Sequence, residues 1–137
     1  MQRTARCACG SASISVSGEP TQISVCHCTN CMRRTGSAFG FSTFFQRSDV
    51  VGNTGDMLVY AFHHAEMNHD QQRHFCAKCG TTLFGFISTR PQLIYIAAGC
   101  FAGESLGEPT ISTWHSRKLP WLTLPGNWIE KPFARDA

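Results

Sequence analysis

Three cysteines lie within six residues of one another, at Cys26, Cys28 and Cys31. Thiols at this spacing can bend onto one metal ion, and zinc is the usual ion for cysteine ligands. Three protein ligands leave a tetrahedral zinc with one open position, which is the feature that separates a catalytic zinc site from a structural one. The spacing therefore predicts that these three residues are metal ligands and also the catalytic group.

Four further cysteines form two close pairs, and each pair is followed by a glycine that can take the positive φ of a tight turn. Four thiolates fill a tetrahedral coordination shell, so this second site is predicted to be closed and structural. Because the unfolded chain has no preformed site, zinc binding there would contribute directly to folding. The predicted ligands are Cys7, Cys9, Cys76 and Cys79.

The eighth cysteine, Cys100, leaves two interpretations open. If it completes the three-cysteine site, both zinc ions are structural and the protein is a binding module. If it is a buried residue at the end of a core strand, the second zinc keeps an exchangeable position. We follow the second interpretation, because free cysteine is among the most buried residue types and nothing near Cys100 resembles a further ligand.

Composition excludes several classes of protein. The chain has 137 residues, of which 42% are hydrophobic, and this predicts a single folded domain over 1–137. The net charge of +3 is small and the basic runs are only pairs, so nucleic acid is not an expected partner. No apolar run reaches the length of a membrane span, and the N-terminus lacks the apolar region of a signal peptide. We therefore expect a cytoplasmic protein, where paired cysteines indicate metal rather than disulfides.

The elements that must position these cysteines are mainly strands, because no segment has a sustained helical period. One helical turn is predicted at 32–36, closed by Gly36. The polar stretch 63–72 is interpreted as a solvated hairpin loop, and 93–98 as the central strand. The strands are predicted at 11–17, 22–25, 39–45, 57–62, 71–75, 82–87, 93–98 and 111–114.

The motifs together resemble the glutathione-dependent formaldehyde-activating enzyme family, which includes the centromere-protein-V-like domains. The matching pieces are the cysteine motifs at 7–10, 26–31 and 75–81, with 33–39 and 118–121, so that the resemblance spans about 5–126. It implies a mainly β fold of the β-tent (Mss4-like) type, in which zinc holds the folded antiparallel sheets together. It also implies a structural zinc on the four-cysteine group and a labile, catalytic-type zinc on the three-cysteine group.

The family reaction implied by this resemblance joins glutathione and formaldehyde to give S-hydroxymethylglutathione, a carbon–sulfur lyase reaction in the reverse sense. A zinc-bound thiol loses its proton and becomes a nucleophile held at a fixed place. The expected partners are thus a small thiol, with glutathione as co-substrate, and a small aldehyde; a membrane is not expected, and a homodimer stays open. Glutathione carries two carboxylates, and Arg33 and Arg34 follow Cys31 closely enough to bind them.

Two alternatives remain at this stage. A non-catalytic β-tent zinc module would use both sites structurally, and a nucleic-acid-binding knuckle would need more basic residues than the chain clusters. His27 lies between two predicted ligands and is interpreted as a structural residue, since in a strand it would face away from them. Mild chelation distinguishes the enzyme from the module, because an open zinc should leave first.

Overall fold

A computed structural model describes residues 1–133 of the chain. The prediction of a mainly β protein is confirmed, and the strands form two sheets. The larger sheet has eight strands and the smaller has three. The strands are β1 Gln2–Arg6, β2 Ser13–Ser17, β3 Gln22–Cys26, β4 Gly40–Gln46, β5 Val50–Thr54, β6 Met57–His64, β7 His69–Cys76, β8 Thr82–Ile87, β9 Leu93–Ala97, β10 Ile111–Thr113 and β11 Ile129–Glu130.

The eight-stranded sheet has the order β11-β10-β3-β4-β9-β8-β7-β6. Strand β9 lies in its interior between β4 and β8, as its hydrophobic sequence predicted. Pairing is antiparallel except where β10 runs parallel to β3 and to β11. This arrangement places the end of β3, which carries Cys26, beside β10 and β4.

The small sheet has the order β1-β2-β5 and packs against the large one through a shared hydrophobic core. Buried residues of both sheets contribute to this core, including Ile14 and Val16 of β2 and Ile94 and Ile96 of β9. Two of the seven cysteines that were predicted as ligands, Cys7 and Cys76, lie within the same cluster. The four-cysteine group therefore sits where the two sheets meet.

One α-helix, α1, covers Thr29–Thr35. It begins earlier than the predicted turn, because Cys28 caps it and the helix already contains Cys31. It ends at Gly36, whose φ of 62° is left-handed, as predicted. Short 3₁₀ helices cover Arg47–Asp49, Ala98–Phe101 and His115–Arg117. Within residues 1–133, no helix is both long and apolar enough to span a membrane.

The interpretation of 63–72 as a solvated loop is wrong. Strand β6 continues to His64 and β7 starts at His69, so only a tight turn of four residues separates them. Both histidines are buried, and so is Gln71. Polar composition suggested solvent, but alternate residues of β7 face inward, and the inward ones happen to be polar.

Three strands were not predicted at all. Strand β1 is polar except for Ala5, and β5 is exposed over most of its length, so neither has the alternating hydrophobic pattern of a half-buried strand. Strand β11 has only two residues. All three are held by backbone pairing with other strands, β1 with the next strand along the chain, β11 with the preceding one and β5 with the more distant β2, and a local hydrophobic pattern does not report such pairing.

Candidate metal centre and adjoining cavity

The four-cysteine group is assembled from two loops and the end of a strand. One loop joins β1 to β2 and carries Cys7 and Cys9; the other follows β7 and carries Cys79, while Cys76 is the last residue of β7 itself. All four sulfur atoms lie within 4.8 Å of one another, with 3.6 Å between the first pair and 3.8 Å between Cys9 and Cys76. Zn–S bonds of about 2.3 Å in a tetrahedron require sulfur separations of about 3.8 Å. The group therefore fits a zinc ion.

Hydrogen bonds to the sulfurs agree with this fit. The backbone N–H groups of Ala12 and Lys78 donate to the sulfurs of Cys7 and Cys76 at 3.2 and 3.4 Å. The hydroxyl of Thr81 lies 3.2 Å from the sulfur of Cys79, and this hydrogen bond first, with those of the neighbouring backbone, lowers the pKa of the thiol to about 5. Donors directed at sulfur stabilise thiolates, which is the ionisation state that binds metal.

The three-cysteine group also converges. Cys26 ends β3, Cys28 caps α1 and Cys31 lies in its first turn, and their sulfurs lie within 4.8 Å of one another. The backbone N–H of Cys31 donates to the sulfur of Cys28 at 3.2 Å, which is the usual N-cap bond made here by a thiol. The strand end and the helix start thus fix all three sulfurs, and the group can hold a zinc ion with three ligands.

Charge is unevenly distributed among these thiols. Hydrogen bonds from Cys26 and Cys28 hold the pKa of Cys31 well below its usual value, and the Arg34 guanidinium lowers it further. The pKa of Cys26 is raised, first by its hydrogen bond to Cys28. Of these thiols, Cys31 therefore loses its proton more readily than Cys26, and its negative charge favours binding of a cation.

A cavity of about 390 Å³ opens onto the three-cysteine group. All three of these cysteines line it, together with residues of β3, β4, β7 and β9 and the turn before β7. The lining includes the three arginines Arg34, Arg73 and Arg90, and no aspartate or glutamate among the described residues. A ligand in this cavity would therefore meet both the three thiols and positive charge.

The two predicted substrate-binding arginines are placed differently. Arg34 lines the cavity, whereas Arg33 is exposed and does not. Arg34 is three residues after Cys31 and shares its helix face, while adjacent residues diverge. Gly40 makes this approach possible, since a Cβ there would lie 2.7 Å from Nη2 of Arg34 and 3.2 Å from the sulfur of Cys31.

His27 is fully buried and lies behind the three-cysteine group rather than in the cavity. Its Nε2 is 3.0 Å from the hydroxyl of Ser112, which in turn is 2.8 Å from Nδ1 of His115. Burial lowers the pKa of His27, so its neutral form is favoured. This position agrees with a structural role.

Cys100 is near the four-cysteine group rather than the three-cysteine group. Burial first, and then the neighbouring thiols of Cys7 and Cys79, raise its pKa. Its sulfur is 3.9 Å from the carbonyl oxygen of Thr82, and it belongs to neither metal-binding group of the described residues. It packs against the hydrophobic core, as the second interpretation of this residue expected.

Sequence reasoning missed the polar wall of the cavity. His69, Gln71 and Arg73 lie at alternate positions of β7, and all three are buried and line the cavity. The signal was present in the sequence, because the polar residues at 69, 71 and 73 occupy alternate positions shortly before Cys76. It was missed because 63–72 was interpreted as a solvated loop, and because no site residue was assigned to the strand predicted at 71–75, which contains Arg73.

The chain matches the family model of the glutathione-dependent formaldehyde-activating enzyme over residues 2–117. It belongs to that family, whose activity is in formaldehyde and glutathione chemistry. Among solved structures, it is similar to a crystal structure of a Rhodobacter sphaeroides protein, with 21% identity and a TM-score of 0.57. That match covers 74% of this chain and 90% of the other, and it supports the fold.

Proposed function

We propose that this protein is a zinc-dependent carbon–sulfur lyase of the S-hydroxymethylglutathione synthase type. Cys26, Cys28 and Cys31 would hold the catalytic-type zinc, and Cys7, Cys9, Cys76 and Cys79 the structural one. The observation that carries the proposal is the cavity that opens directly onto the three-thiol group. A structural zinc has all four positions filled by protein ligands, whereas this group offers three thiols and faces space large enough for a ligand.

Cys26, Cys28 and Cys31 would hold the zinc ion, which would supply a fourth position for a substrate thiol and lower the pKa of that thiol. In the reaction, the substrate sulfur forms a bond to the carbonyl carbon of formaldehyde, and the carbonyl π pair moves to oxygen. The thiol proton is released and a proton is taken up by that oxygen, so that the product is a hydroxymethyl thioether. The reverse direction breaks the same carbon–sulfur bond.

The protein's own side chains bind and orient the substrate. Arg34 lies on the helix face of Cys31, where its charge stabilises thiolates. Trp114 and Phe44 line the apolar part of the cavity and limit the access of water. Arg33, which the sequence also predicted to bind the co-substrate, would contribute only through longer-range charge, because it is exposed.

Thiol binding tests the first half of the proposal. Cobalt-substituted protein titrated with glutathione should gain intensity in the sulfur-to-metal charge-transfer band that the cysteine ligands already produce. Calorimetry in two buffers of different ionisation enthalpy should count one released proton. Cys28→Ser should lose both signals, while the four-cysteine group keeps the protein folded. Cys100→Ala serves as the cysteine control. Tight binding without a cobalt–sulfur change would show that the thiol lies elsewhere and would contradict the proposal.

Turnover tests the second half. Glutathione and formaldehyde combine spontaneously, so the measurement is the exchange rate of ¹³C-formaldehyde with its glutathione adduct by NMR. The wild-type protein should accelerate this exchange and Cys28→Ser should not. An exchange rate equal to the spontaneous one would exclude formaldehyde as the aldehyde.

The remaining expectations belong to the same proposal: one domain over all 137 residues, a cytoplasmic location, and small molecules rather than nucleic acid or membrane as partners. The homodimer also stays a prediction. Sedimentation of the zinc-loaded protein over a range of concentrations would measure its mass, and a constant monomer mass would rule the homodimer out.

A further inference from the structure

The inward face of β7 is polar where a buried strand face is normally apolar. His69, Gln71 and Arg73 have exposed fractions of only 6%, 9% and 8%. Residues Asp70 and Gln72, between them, are exposed. Burying polar groups costs free energy unless they are paired, so three in succession on one face need a physical reason.

Arg73 is the most unusual of the three, because it is a buried cation and no carboxylate within residues 1–133 forms an ion pair with it. Its Nη2 donates to the amide oxygen of Asn30 and, at 3.5 Å, to that of Gln71. Both acceptors are neutral, and Nε has no hydrogen-bond partner within residues 1–133. None of the ion pairs formed by the described carboxylates involves Arg73. A buried guanidinium in this state is destabilising on its own.

The surrounding contacts hold the guanidinium in one place. The hydroxyl of Tyr95 donates to the same oxygen of Gln71 at 3.2 Å, which fixes the orientation of that amide. The ring of Phe62 lies 4.7 Å from Cζ of Arg73. A Cβ at Gly85 would lie 2.3 Å from the Tyr95 ring, so glycine there lets the tyrosine reach Gln71.

Arg73 also has a defined position relative to the thiols. Asn30, which accepts its hydrogen bond, is the residue before Cys31 on α1. Both Arg73 and the three cysteines line the same cavity, which contains no carboxylate among the described residues. One ligand can therefore place a sulfur at the cysteines and an anionic group at Arg73.

We infer that Arg73, positioned by Asn30 and Gln71, binds a carboxylate of the thiol substrate and selects carboxylate-bearing thiols over neutral ones. This inference rests on the proposed function for the sulfur end of the ligand. The carboxylate supplies the countercharge that Arg73 lacks, and a planar guanidinium matches a carboxylate with two parallel hydrogen bonds.

The experiment separates the contribution of the carboxylates to binding from the contribution of the thiol. Zinc-loaded protein is titrated with glutathione, with glutathione diethyl ester, which has no free carboxylate, and with S-methylglutathione, which has no free thiol. The proteins are wild type, Arg73→Met, Arg73→Lys and Arg47→Met. Arg47 is the matched control, because it is exposed and stacks on Phe86 outside the cavity lining.

We expect wild type to bind glutathione at least about tenfold more tightly than the diester. Arg73→Met should weaken binding of glutathione and of S-methylglutathione by about tenfold or more and leave diester binding unchanged; Arg73→Lys should retain part of the selectivity. Arg47→Met should match wild type. If Arg73→Met does not fold, Arg73→Lys decides the question: its preference for glutathione over the diester should be smaller than that of wild type and of Arg47→Met, and an unchanged preference would overturn the inference.

The outcomes distinguish this inference from the proposed function. S-methylglutathione binding could depend on Arg73 while glutathione adds no intensity to the cobalt–sulfur band. In that case the assignment of Arg73 as the carboxylate site is supported and the zinc–thiol proposal fails. If glutathione and its diester bind wild type equally, or if Arg73→Met weakens both to the same extent, the carboxylate site is overturned while the zinc–thiol proposal stands.

Discussion

The hydroxyl of Ser112 lies 3.0 Å from Nε2 of His27, and both side chains have no exposed surface. Ser112 belongs to β10, while His27 separates two cysteines of the three-thiol group. Strand β10 runs parallel to β3, with Thr113 opposite Cys26. This hydrogen bond therefore connects the cysteine stretch to the neighbouring strand of the sheet. The position of the metal-binding stretch thus depends on a contact across 85 residues of sequence.

Ser112→Ala should destabilise the protein by about 1–3 kcal/mol, because it leaves a buried nitrogen of His27 without that partner. Zinc affinity at the three-cysteine group should fall as well, since the stretch is less well held. Urea unfolding and competitive chelation measure the two effects. Ser116→Ala is the control, because that hydroxyl is exposed and bonds a backbone carbonyl. Equal effects of the two variants would contradict the role given to Ser112.

Cys79→Ser should destabilise the protein by on the order of 4–5 kcal/mol or more, because it opens the four-thiolate site that joins the two sheets. Cys79 is exposed, so the substitution removes a ligand without removing core packing. Thermal unfolding and metal content are measured together. A variant that melts like wild type and has one zinc fewer would refute the structural assignment.

Cys100→Ala should keep the full zinc content and cost about 1 kcal/mol, as expected for a modest core truncation. The sulfur packs against the core and lies outside both metal-binding groups of the described chain. Metal analysis after gel filtration checks the prediction. Loss of the more labile zinc in this variant would mean that Cys100 completes that site, and the enzyme proposal would fail.

Arg34→Met should weaken glutathione binding by about tenfold, and it should also raise the pKa of the Cys31 thiol, because one source of positive charge is removed. Arg33→Met should have a much smaller effect, since Arg33 is exposed and outside the cavity lining. Calorimetric titration gives both affinities. A larger loss for Arg33→Met would show that the substrate approaches from the outer face of α1.

Stability should fall as the pH drops below about 6.5, in part because of His69. Burial lowers the pKa of His69, helped by His64, His63 and Arg90 and opposed by Asp70. The unfolded chain therefore binds a proton before the native one does, so this contribution is complete above the ordinary pKa and is lost as the pH falls toward the lowered one. His69→Gln should flatten the dependence between pH 7.5 and 5.5 in urea unfolding. Parallel curves for His69→Gln and wild type would contradict this account.

The sequence alone identified the two cysteine groups that could hold a metal and the class of the fold. Ligand identity depends on residue type, and three or four cysteines a few residues apart are brought together by short turns, so Cys26, Cys28 and Cys31 could be grouped without a structure. Strands such as β8 and β9 were found because their hydrophobic pattern is local. Gly36 was correctly assigned as the end of a helix for the same reason.

Only the tertiary structure decided which charges reach the thiols. Arg73 comes 42 residues after Cys31 in the numbering, and pairing of β7 with β8 and β6 turns it toward the cavity. Helix α1 starts early enough to include Cys31, and that start selects Arg34 over Arg33. Long-range strand pairing and helix phase fix the direction of each side chain, and neither is encoded in a local pattern of residue types.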